Sequence, residues 1–377
     1  MAKGGRFLQH EEPKKGKAWK RVLLGILAVV LLVGGMGAGF VYSKMNKIQR
    51  AKTGENQLTD EKLAGLLVED PTQETEATTA PTETTVPKET TPDWGKMGKV
   101  INILLIGQDA RPGEDSKNAD TIILLTVNKE TKKITMTSFL RDTYVTVNDV
   151  VDANGKSHSG STKLNLTYAL GYSWSDSAGA MSVLDQVIKN NFGPEVDRNI
   201  EVDMDAFDAC INAIHGVTIT LTEDEADYMN KYFVEYDDRS YQEGENKLDG
   251  WAAEVYVRTR HSNYGDNDFN RTDRQRAVVG QVLEKVKNMS LLEINSLVDE
   301  LLPYVLTDMS NTDITNYITE LLPLLPQMTL ESIQCPNEEM DRWGELKDIF
   351  HDGMEHSILH FDSTKAKNIL VPITECD

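Results

Sequence analysis

The chain has 377 residues and a formal net charge of −21 at pH 7, a length that allows one large domain with appendages or two small domains. This acidic balance argues against a nucleic-acid partner, because nucleic-acid binding depends on basic surface. Three cysteines are too few for a disulfide scaffold. The apolar pattern around Cys210 predicts a buried thiol, whereas Cys335 and Cys376 either pair or remain free.

The N-terminal end is basic and precedes a long apolar run. Residues 1–21 are rich in Lys and Arg, and residues 22–42 form a run without any charged residue after Arg21. About 20 apolar residues cross a bilayer as a helix, while the apolar region of a signal peptide has roughly 7–15. We therefore predict a single-pass anchor with a cytoplasmic N-terminus, since more of the Lys and Arg that flank the run lie before it than after it, although Lys44, Lys47, Arg50 and Lys52 weaken this asymmetry. The remainder of the chain is then outside the cell membrane.

The segment 43–98 has the composition of a spacer. Between Pro71 and Pro92 it consists largely of Thr, Glu and Pro, with few side chains to bury. Such a sequence cannot offset the entropy lost on ordering. We therefore predict an extracellular, disordered linker between the anchor and a folded domain that spans residues 99–377.

Strands and helices alternate along this domain. Strands are predicted at 100–106, 121–127, 134–139, 199–202, 217–221, 332–335 and 369–373. Helices are predicted at 166–170, 181–188, 205–215, 249–257 and 271–288, with two leucine-rich helices in 290–330. Asp205 and Asp249 are the expected N-caps of their helices. This order predicts an α/β fold with a central mixed sheet sandwiched by helices in three layers.

Arginine is concentrated at 258–276, a stretch without lysine. Arg271, Arg274 and Gln275 have helical spacings that place them on one face, at a helix N-terminus that favours anions. Guanidinium groups match phosphate oxygens two at a time. The stretch therefore predicts an anion site. The alternative is a net of surface salt bridges with the neighbouring aspartates.

Two aspartates flank the loop that follows the first strand. Asp109 comes after the buried strand, and Asp120 opens the next one. Ligands of open α/β sheets bind beyond the carboxyl ends of strands, and carboxylate oxygens suit Mg²⁺. The pair is therefore a candidate Mg²⁺ site. A turn aspartate and a strand-edge aspartate are the ordinary alternative.

Further charged groups follow the third strand and precede the next helix. Arg141 and Asp142 could clamp and orient a phosphate, or form a strand-terminal ion pair. Lys163 and Asn165 could reach the same ligand, or serve only to cap a helix. Neither a GxSxG elbow nor a Walker GxxxxGK[ST] loop occurs in the sequence.

Taken together, these stretches resemble the LytR-CpsA-Psr family of membrane-anchored cell-wall enzymes. The matching runs follow the family's order at 102–109, 119–121, 138–142, 163–165, 215–217, 248–250, 256–260 and 268–275. They define core motifs over 101–276, with 277–377 completing the domain. Asn118 and Leu140 depart from the pattern, since the family often has Arg and Pro there. The change at 118 removes one possible phosphate contact.

The resemblance implies a membrane-anchored phosphotransferase, or ligase, of a Gram-positive-type envelope. Such an enzyme transfers an anionic glycopolymer (teichoic acid, capsule or similar) from a polyprenyl-diphosphate carrier to peptidoglycan. The matched positions imply Mg²⁺ on Asp109 and Asp120. They imply diphosphate contacts from Arg141, Lys163, Arg258, Arg260, Arg271 and Gln275. Arg141, Asp142 and Asp268 are the implied catalytic residues, with Asp142 or Asp268 as general base. The alternatives are a polyprenyl-diphosphate phosphatase and a non-catalytic envelope regulatory or binding protein.

Overall fold

The computed structural model describes residues 49–50, 66–68, 98–108, 117–233, 239–259, 304–321 and 327–375, together with residue 324 and scattered positions between 274 and 285. Within these residues no helix is long and apolar enough to cross a membrane. The predicted anchor at 22–42 and most of the predicted linker lie outside them.

The strands, in chain order, are β1 (Gln49–Arg50), β2 (Val100–Gln108), β3 (Ala119–Asn128), β4 (Lys133–Phe139), β5 (Tyr144–Thr146), β6 (Val150–Val151), β7 (Ser157–His158), β8 (Ser161–Lys163), β9 (Arg198–Val202), β10 (Val217–Leu221), β11 (Gly244–Leu248), β12 (Val305–Thr307), β13 (Thr329–Cys335), β14 (Trp343–Lys347) and β15 (His356–His360). The helices are α1 (Leu164–Trp174), α2 (Ser177–Phe192), α3 (Met204–Ala213), α4 (Glu223–Phe233), α5 (Gly250–Arg258), α6 (Asn311–Leu321) and α7 (Ser363–Thr374).

Among the described residues the main sheet has seven strands in the order β1-β12-β9-β2-β3-β4-β13. Neighbours β2, β3 and β4 are antiparallel, whereas β9 runs parallel to β2 and β13 runs parallel to β4. The predicted mixed sheet is therefore confirmed. Small two-stranded sheets, β5 with β8 and β14 with β15 among them, are built onto it.

Both faces of the sheet are buried, which explains the near-continuous apolar run of β2. Ile103 and Leu105 lie in one core with residues from α3, α4, α5 and α6. Leu104 and Ile106 lie in a second core with residues from α1, α2 and α7. Alternate side chains of a strand point to opposite faces, so one strand supplies both cores. The three-layer arrangement predicted from the alternation is thus confirmed.

The strand directions bring the ends of several strands to one edge of the sheet. The C-terminal ends of β2, β4, β9 and β13 lie there, with the N-terminal end of β3. The register of β2 with β3 shifts between Gly107 and Gln108. A Cβ on Gly107 would come within 2.8 Å of the Thr121 Cβ atom, so glycine permits this close pairing. Asp120 lies beside Thr121, at the start of β3.

Several predicted elements are confirmed and others are wrong. Asp249 caps α5 by accepting a hydrogen bond from the Ala252 N–H, as predicted. Helix α3 begins after Asp203, whose side chain accepts from the Ala206 N–H, so Asp205 lies in the first turn and is not the cap. The segment predicted as a strand at 369–373 belongs to helix α7. Its β-branched residues suggested a strand, but helical spacing buries Ala366 and Leu370.

The two leucine-rich helices predicted for 290–330 are only partly observed. Within the described part of that region, 305–307 is strand β12, paired with β9, and α6 begins at Asn311. Edge pairing overrides the helical pattern there. Cys335 is a buried thiol outside any disulfide, whereas the Cys210 thiol is only partly buried, against the prediction. Cys376 lies outside the described residues.

Two carboxyl groups, the partly buried Asp185 of α2 and the more exposed Asp308 that follows β12, share a hydrogen-bond donor in β9. The Asn199 side-chain amide donates to Asp185 at 2.9 Å and to Asp308 at 3.0 Å. Burial raises the pKa of Asp185 well above its usual range, and the neighbouring Asp308 carboxylate raises it further. A folded-state pKa above the unfolded value means that ionisation opposes folding. This cost is absent at acidic pH and grows as the pH rises through the unfolded-state pKa.

We predict that Asp185→Asn, which keeps an acceptor for Asn199 without the charge, raises the free energy of unfolding at pH 7.5 by about 1–2 kcal/mol. The gain shrinks toward pH 4, where the native carboxyl is neutral. Urea unfolding at the two pH values measures it. Glu355→Gln, the same change on an exposed residue, is the control and is expected to have no such effect. A pH-independent gain would contradict the assignment.

Candidate functional site

An arginine follows β4 at the polar edge of the sheet and contacts the start of β3. The Arg141 Nη1 atom lies 2.6 Å from Asp120 Oδ1, and its Nε atom lies 3.7 Å from Asp142 Oδ2. The antiparallel pairing of β3 with β4 produces this contact, because Ile122 lies opposite Phe139 at the ends of the two strands. The cation therefore lies between two carboxylates that are separated in the sequence by most of β3 and all of β4.

A lysine joins the same network from another element. The Lys163 Nζ atom lies 2.7 Å from Asp142 Oδ1. Lys163 is the last residue of β8, which pairs with β5 directly after the Asp142 turn. Its side chain makes no cap hydrogen bond to α1, so capping alone does not account for it. Ionic contacts thus connect Asp120, Arg141, Asp142 and Lys163 in series.

The backbone holds the start of α1 against the turn after β4. The Leu164 N–H donates to the Thr143 carbonyl at 2.8 Å, and the Asn165 N–H donates to the Arg141 carbonyl at 3.0 Å. These bonds fix Asn165 beside Arg141. They make the Arg141–Lys163 arrangement a property of the fold and not of mobile surface side chains.

Polar atoms at or near this edge are buried without a hydrogen-bond partner. They include Asn165 Oδ1, Gln108 Nε2 and Ser138 Oγ. Asn165 is 5% exposed and Gln108 is 3% exposed, so bulk water does not satisfy them. Leaving such groups unpaired costs about 1–3 kcal/mol each. A polar ligand that enters beyond the strand ends would supply the missing partners.

The predicted anion site in the arginine-rich stretch 258–276 begins at the end of α5. The Arg258 Nη1 atom lies 2.5 Å from Glu254 Oε1, one turn earlier on the same helix. Arg274 is buried, donates to the Thr259 carbonyl at 2.7 Å and lies 3.4 Å from Glu225. Arg274 therefore holds α4 and α5 together, as a structural cation. Gln275 is half-buried beside it.

The predicted site residues therefore divide into three groups. Asp120, Arg141, Asp142 and Lys163 are brought together in one network. Arg258 is the last residue of α5, and Gln275 follows Arg274, which bonds to Thr259 at the end of that helix. The remaining predicted residues lie outside those that the structure describes: Asp109, Arg260, Asp268 and Arg271.

The oxygen donors present at this edge suit a hard divalent cation. Asp120 supplies a carboxylate, and the unpartnered Asn165 Oδ1 is an amide oxygen beside Arg141. Mg²⁺ prefers such ligands and keeps several waters or substrate oxygens. The described part of the chain contains no cluster of three or more His, Cys, Asp or Glu side chains that could hold a metal alone. A substrate-completed Mg²⁺ site fits this donor set.

A further acidic group near the same edge was not predicted from the sequence. Glu201, close to the end of β9, accepts a hydrogen bond from the Tyr168 hydroxyl of α1. Burial raises the pKa of Glu201, and the Tyr168 hydrogen bond and the nearby Lys117 oppose that rise. The Lys117 Nζ atom lies 5.1 Å from the centre of the Tyr172 ring. The helical spacing of Tyr168 and Tyr172, on one face, was the available signal.

The LytR_cpsA_psr family model matches residues 67–360 of this chain. The chain is 27% identical over 314 residues to the polyisoprenyl-teichoic acid–peptidoglycan teichoic acid transferase TagU of Oceanobacillus iheyensis, covering 82% of this chain and 84% of that protein. It is 25% identical over 351 residues to the transferase TagT of Bacillus subtilis, whose name has the same wording, covering 90% and 92%.

Solved structures show the same fold. The crystal structure of protein gbs0355 from Streptococcus agalactiae superposes with a TM-score of 0.57 at 25% identity, covering 73% of this chain and 86% of that chain. The mixed sheet with helices on both faces is therefore shared with it.

We predict that Arg141→Ala lowers the free energy of unfolding by about 1–3 kcal/mol, because it leaves two partly buried carboxylates without their shared cation. Lys133→Ala is the control, since Lys133 pairs with Glu331 at 2.9 Å on the exposed surface. Such exposed pairs contribute about 0–1 kcal/mol. Urea unfolding compares them. Equal losses in both variants would show that Arg141 has no special structural weight.

Proposed function

Because this chain belongs to the LytR_cpsA_psr family, we propose that it transfers an anionic glycopolymer, of the teichoic acid or capsular kind, from a polyprenyl-diphosphate carrier to peptidoglycan. The names of its relatives TagU and TagT support this substrate pair. The observation that carries the proposal is the network of Arg141 and Lys163 with Asp120 and Asp142 at the open edge of the sheet.

The proposed reaction is a displacement at phosphorus. A hydroxyl oxygen of the acceptor sugar bonds to the phosphorus that carries the polymer. The bond from that phosphorus to the bridging oxygen breaks, and polyprenyl monophosphate leaves with the bonding electrons. Negative charge develops on the leaving phosphate, and fixed cations stabilise it without the cost of reorganising water. Arg141 and Lys163 are the described cations placed for that role, with Arg258, Arg260, Arg271 and Gln275 as further proposed diphosphate contacts.

Asp142 is best explained as a positioning group. Its Oδ1 atom holds Lys163 at 2.7 Å, and its Oδ2 atom faces Arg141 at 3.7 Å. A carboxylate held by two cations fixes their side chains where the diphosphate arrives. A general base must reach the acceptor hydroxyl. We therefore assign that step to Asp268, the other candidate, which takes the proton that the acceptor hydroxyl releases.

The transfer assay that separates ligase from phosphatase measures released polyprenyl phosphate with and without peptidoglycan fragments. We predict that release requires the acceptor and that polymer appears on the glycan in equal amount. Arg141→Lys, which keeps the charge but loses the planar fork, is expected to lower the rate about a hundredfold. Release at the same rate without acceptor would identify a phosphatase. Polymer binding without any release would favour a non-catalytic envelope protein.

Mg²⁺ is the proposed cofactor, held by Asp109 and Asp120 with oxygen atoms of the substrate. When bound, the ion neutralises charge on the diphosphate. Asp120 already accepts from Arg141 at 2.6 Å, so the same carboxylate would serve both the metal and the guanidinium. The assay above, repeated in EDTA and after adding Mg²⁺ back, tests this part. Full activity in EDTA would contradict it.

The proposed location is the outer face of the cell membrane, with the run 22–42 as a single-pass anchor and the N-terminus inside. The absence of charge over that run and the basic residues before it support the proposal. We predict that protease added to intact spheroplasts degrades the domain from residue 99 onward, while a tag at the N-terminus survives. Protection of the domain until the membrane is permeabilised would contradict this orientation.

A further inference from the structure

A β-hairpin near the C-terminus is built onto the turn that carries Arg141 and Asp142. The Leu359 N–H of β15 donates to the Asp142 carbonyl at 2.9 Å, and Leu359 forms a bridge with Thr143. The Tyr144 and His360 rings meet edge to face, with centroids 5.5 Å apart. The hairpin is thus an extension of the candidate site.

This hairpin displays a tryptophan to solvent. Trp343 is 53% exposed, although large aromatic side chains are normally buried. One face of its ring stacks on His360, with centroids 4.0 Å apart and planes inclined by 18°. The His360 Nε2 atom lies 2.9 Å from Glu345 Oε1. Because His360 contacts Tyr144 and Glu345, the indole stacks on a ring that is itself held in place, while about half of the Trp343 side chain remains exposed to solvent.

The position of Trp343 places that face near the reacting groups. Trp343 pairs directly with His360, the residue after Leu359, which is bonded to Asp142. Neighbouring strands lie about 5 Å apart and residues rise about 3.3 Å along a strand, so Trp343 lies on the order of 10 Å from Asp142. A short oligosaccharide spans such a distance.

The charges around Trp343 indicate what kind of ligand the ring takes. The flanking segments are rich in acids, with two basic side chains among them: Glu338, Glu339, Asp341, Arg342, Glu345, Lys347, Asp348, Asp352 and Glu355. This surface repels an anionic polymer and an anionic membrane surface. A neutral sugar ring has an apolar C–H face for the indole and hydroxyls for Glu345 and Lys347. Charge therefore favours the acceptor glycan over the donor polymer.

We propose that Trp343, backed by His360 and flanked by Glu345, forms a subsite for a sugar ring of the peptidoglycan acceptor. This inference rests on the proposed transfer to peptidoglycan and adds the place where the acceptor binds. Trp343 is a binding residue in this assignment and takes no part in bond making. The subsite holds the glycan so that a hydroxyl farther along the strand reaches the diphosphate beside Arg141.

The test compares Trp343→Ala and Trp343→Phe in the full-length chain. Trp343→Ala is expected to raise the KM for peptidoglycan fragments about tenfold, with kcat and the KM for the lipid-linked donor unchanged, and Trp343→Phe to recover part of the loss. Leu346→Ala is the matched control, because Leu346 is 65% exposed on the same hairpin and lies opposite Ser357 on its other face. An unchanged acceptor KM in Trp343→Ala would overturn the proposal.

A direct binding measurement tests the Trp343 subsite independently of the proposed transfer reaction. Chitotetraose, a neutral sugar chain, is expected to perturb the Trp343 indole signal in NMR spectra of the wild type, and its binding is expected to weaken about tenfold in Trp343→Ala. This readout needs no turnover, so it stands even if no transfer to peptidoglycan is found. Loss of binding to anionic phospholipid vesicles in Trp343→Ala, with chitotetraose binding unchanged, would overturn the proposal in favour of a membrane contact.

Discussion

The candidate site depends on one guanidinium placed between two carboxylates. Arg141 reaches Asp120 across the β3–β4 pair and has Asp142 as its neighbour, which in turn holds Lys163. The side chains of the Arg141–Asp120 pair are only 15% and 19% exposed, so water screens the contact weakly. Each charge needs its neighbour to remain in place. These ionic contacts and the register of the sheet together hold the four side chains in place.

The register explains why the network forms at this edge. Strand ends that are far apart in sequence meet because β3 is antiparallel to β2 and β4, while β9 is parallel to β2 and β13 is parallel to β4. Gly107 lets the β2–β3 pair close at the bulge, which fixes where β3 begins. The antiparallel pairing of β5 with β8 then places Lys163 opposite Tyr144, close to the turn that carries Asp142. Backbone pairing thus positions Asp120 at the start of β3 and Lys163 at the end of β8, on either side of the turn that carries Arg141 and Asp142.

Much of the sheet could be predicted from the sequence, because strands buried on both faces have nearly continuous apolar runs, as in β2. Helix α7 was mistaken for a strand, since Ile369, Val371 and Ile373 are β-branched and its buried residues are few. The hairpin of β14 and β15 was not predicted, because it is exposed, charged and contains Gly344. The residues of the network were found one by one, but their contacts depend on strand pairing that no local pattern encodes.

The acidic character of the chain acquires a role once the cations are placed. A net charge of −21 disfavours the approach of an anionic polymer, so its attraction requires a place where Arg and Lys are concentrated. Arg141 and Lys163 form such a place, and the acidic hairpin that bears Trp343 lies directly beside it. Two substrates of different charge would then be sorted by electrostatics before either reacts. In the proposed arrangement the anionic polymer is attracted to Arg141 and Lys163, and a neutral sugar ring stacks on Trp343.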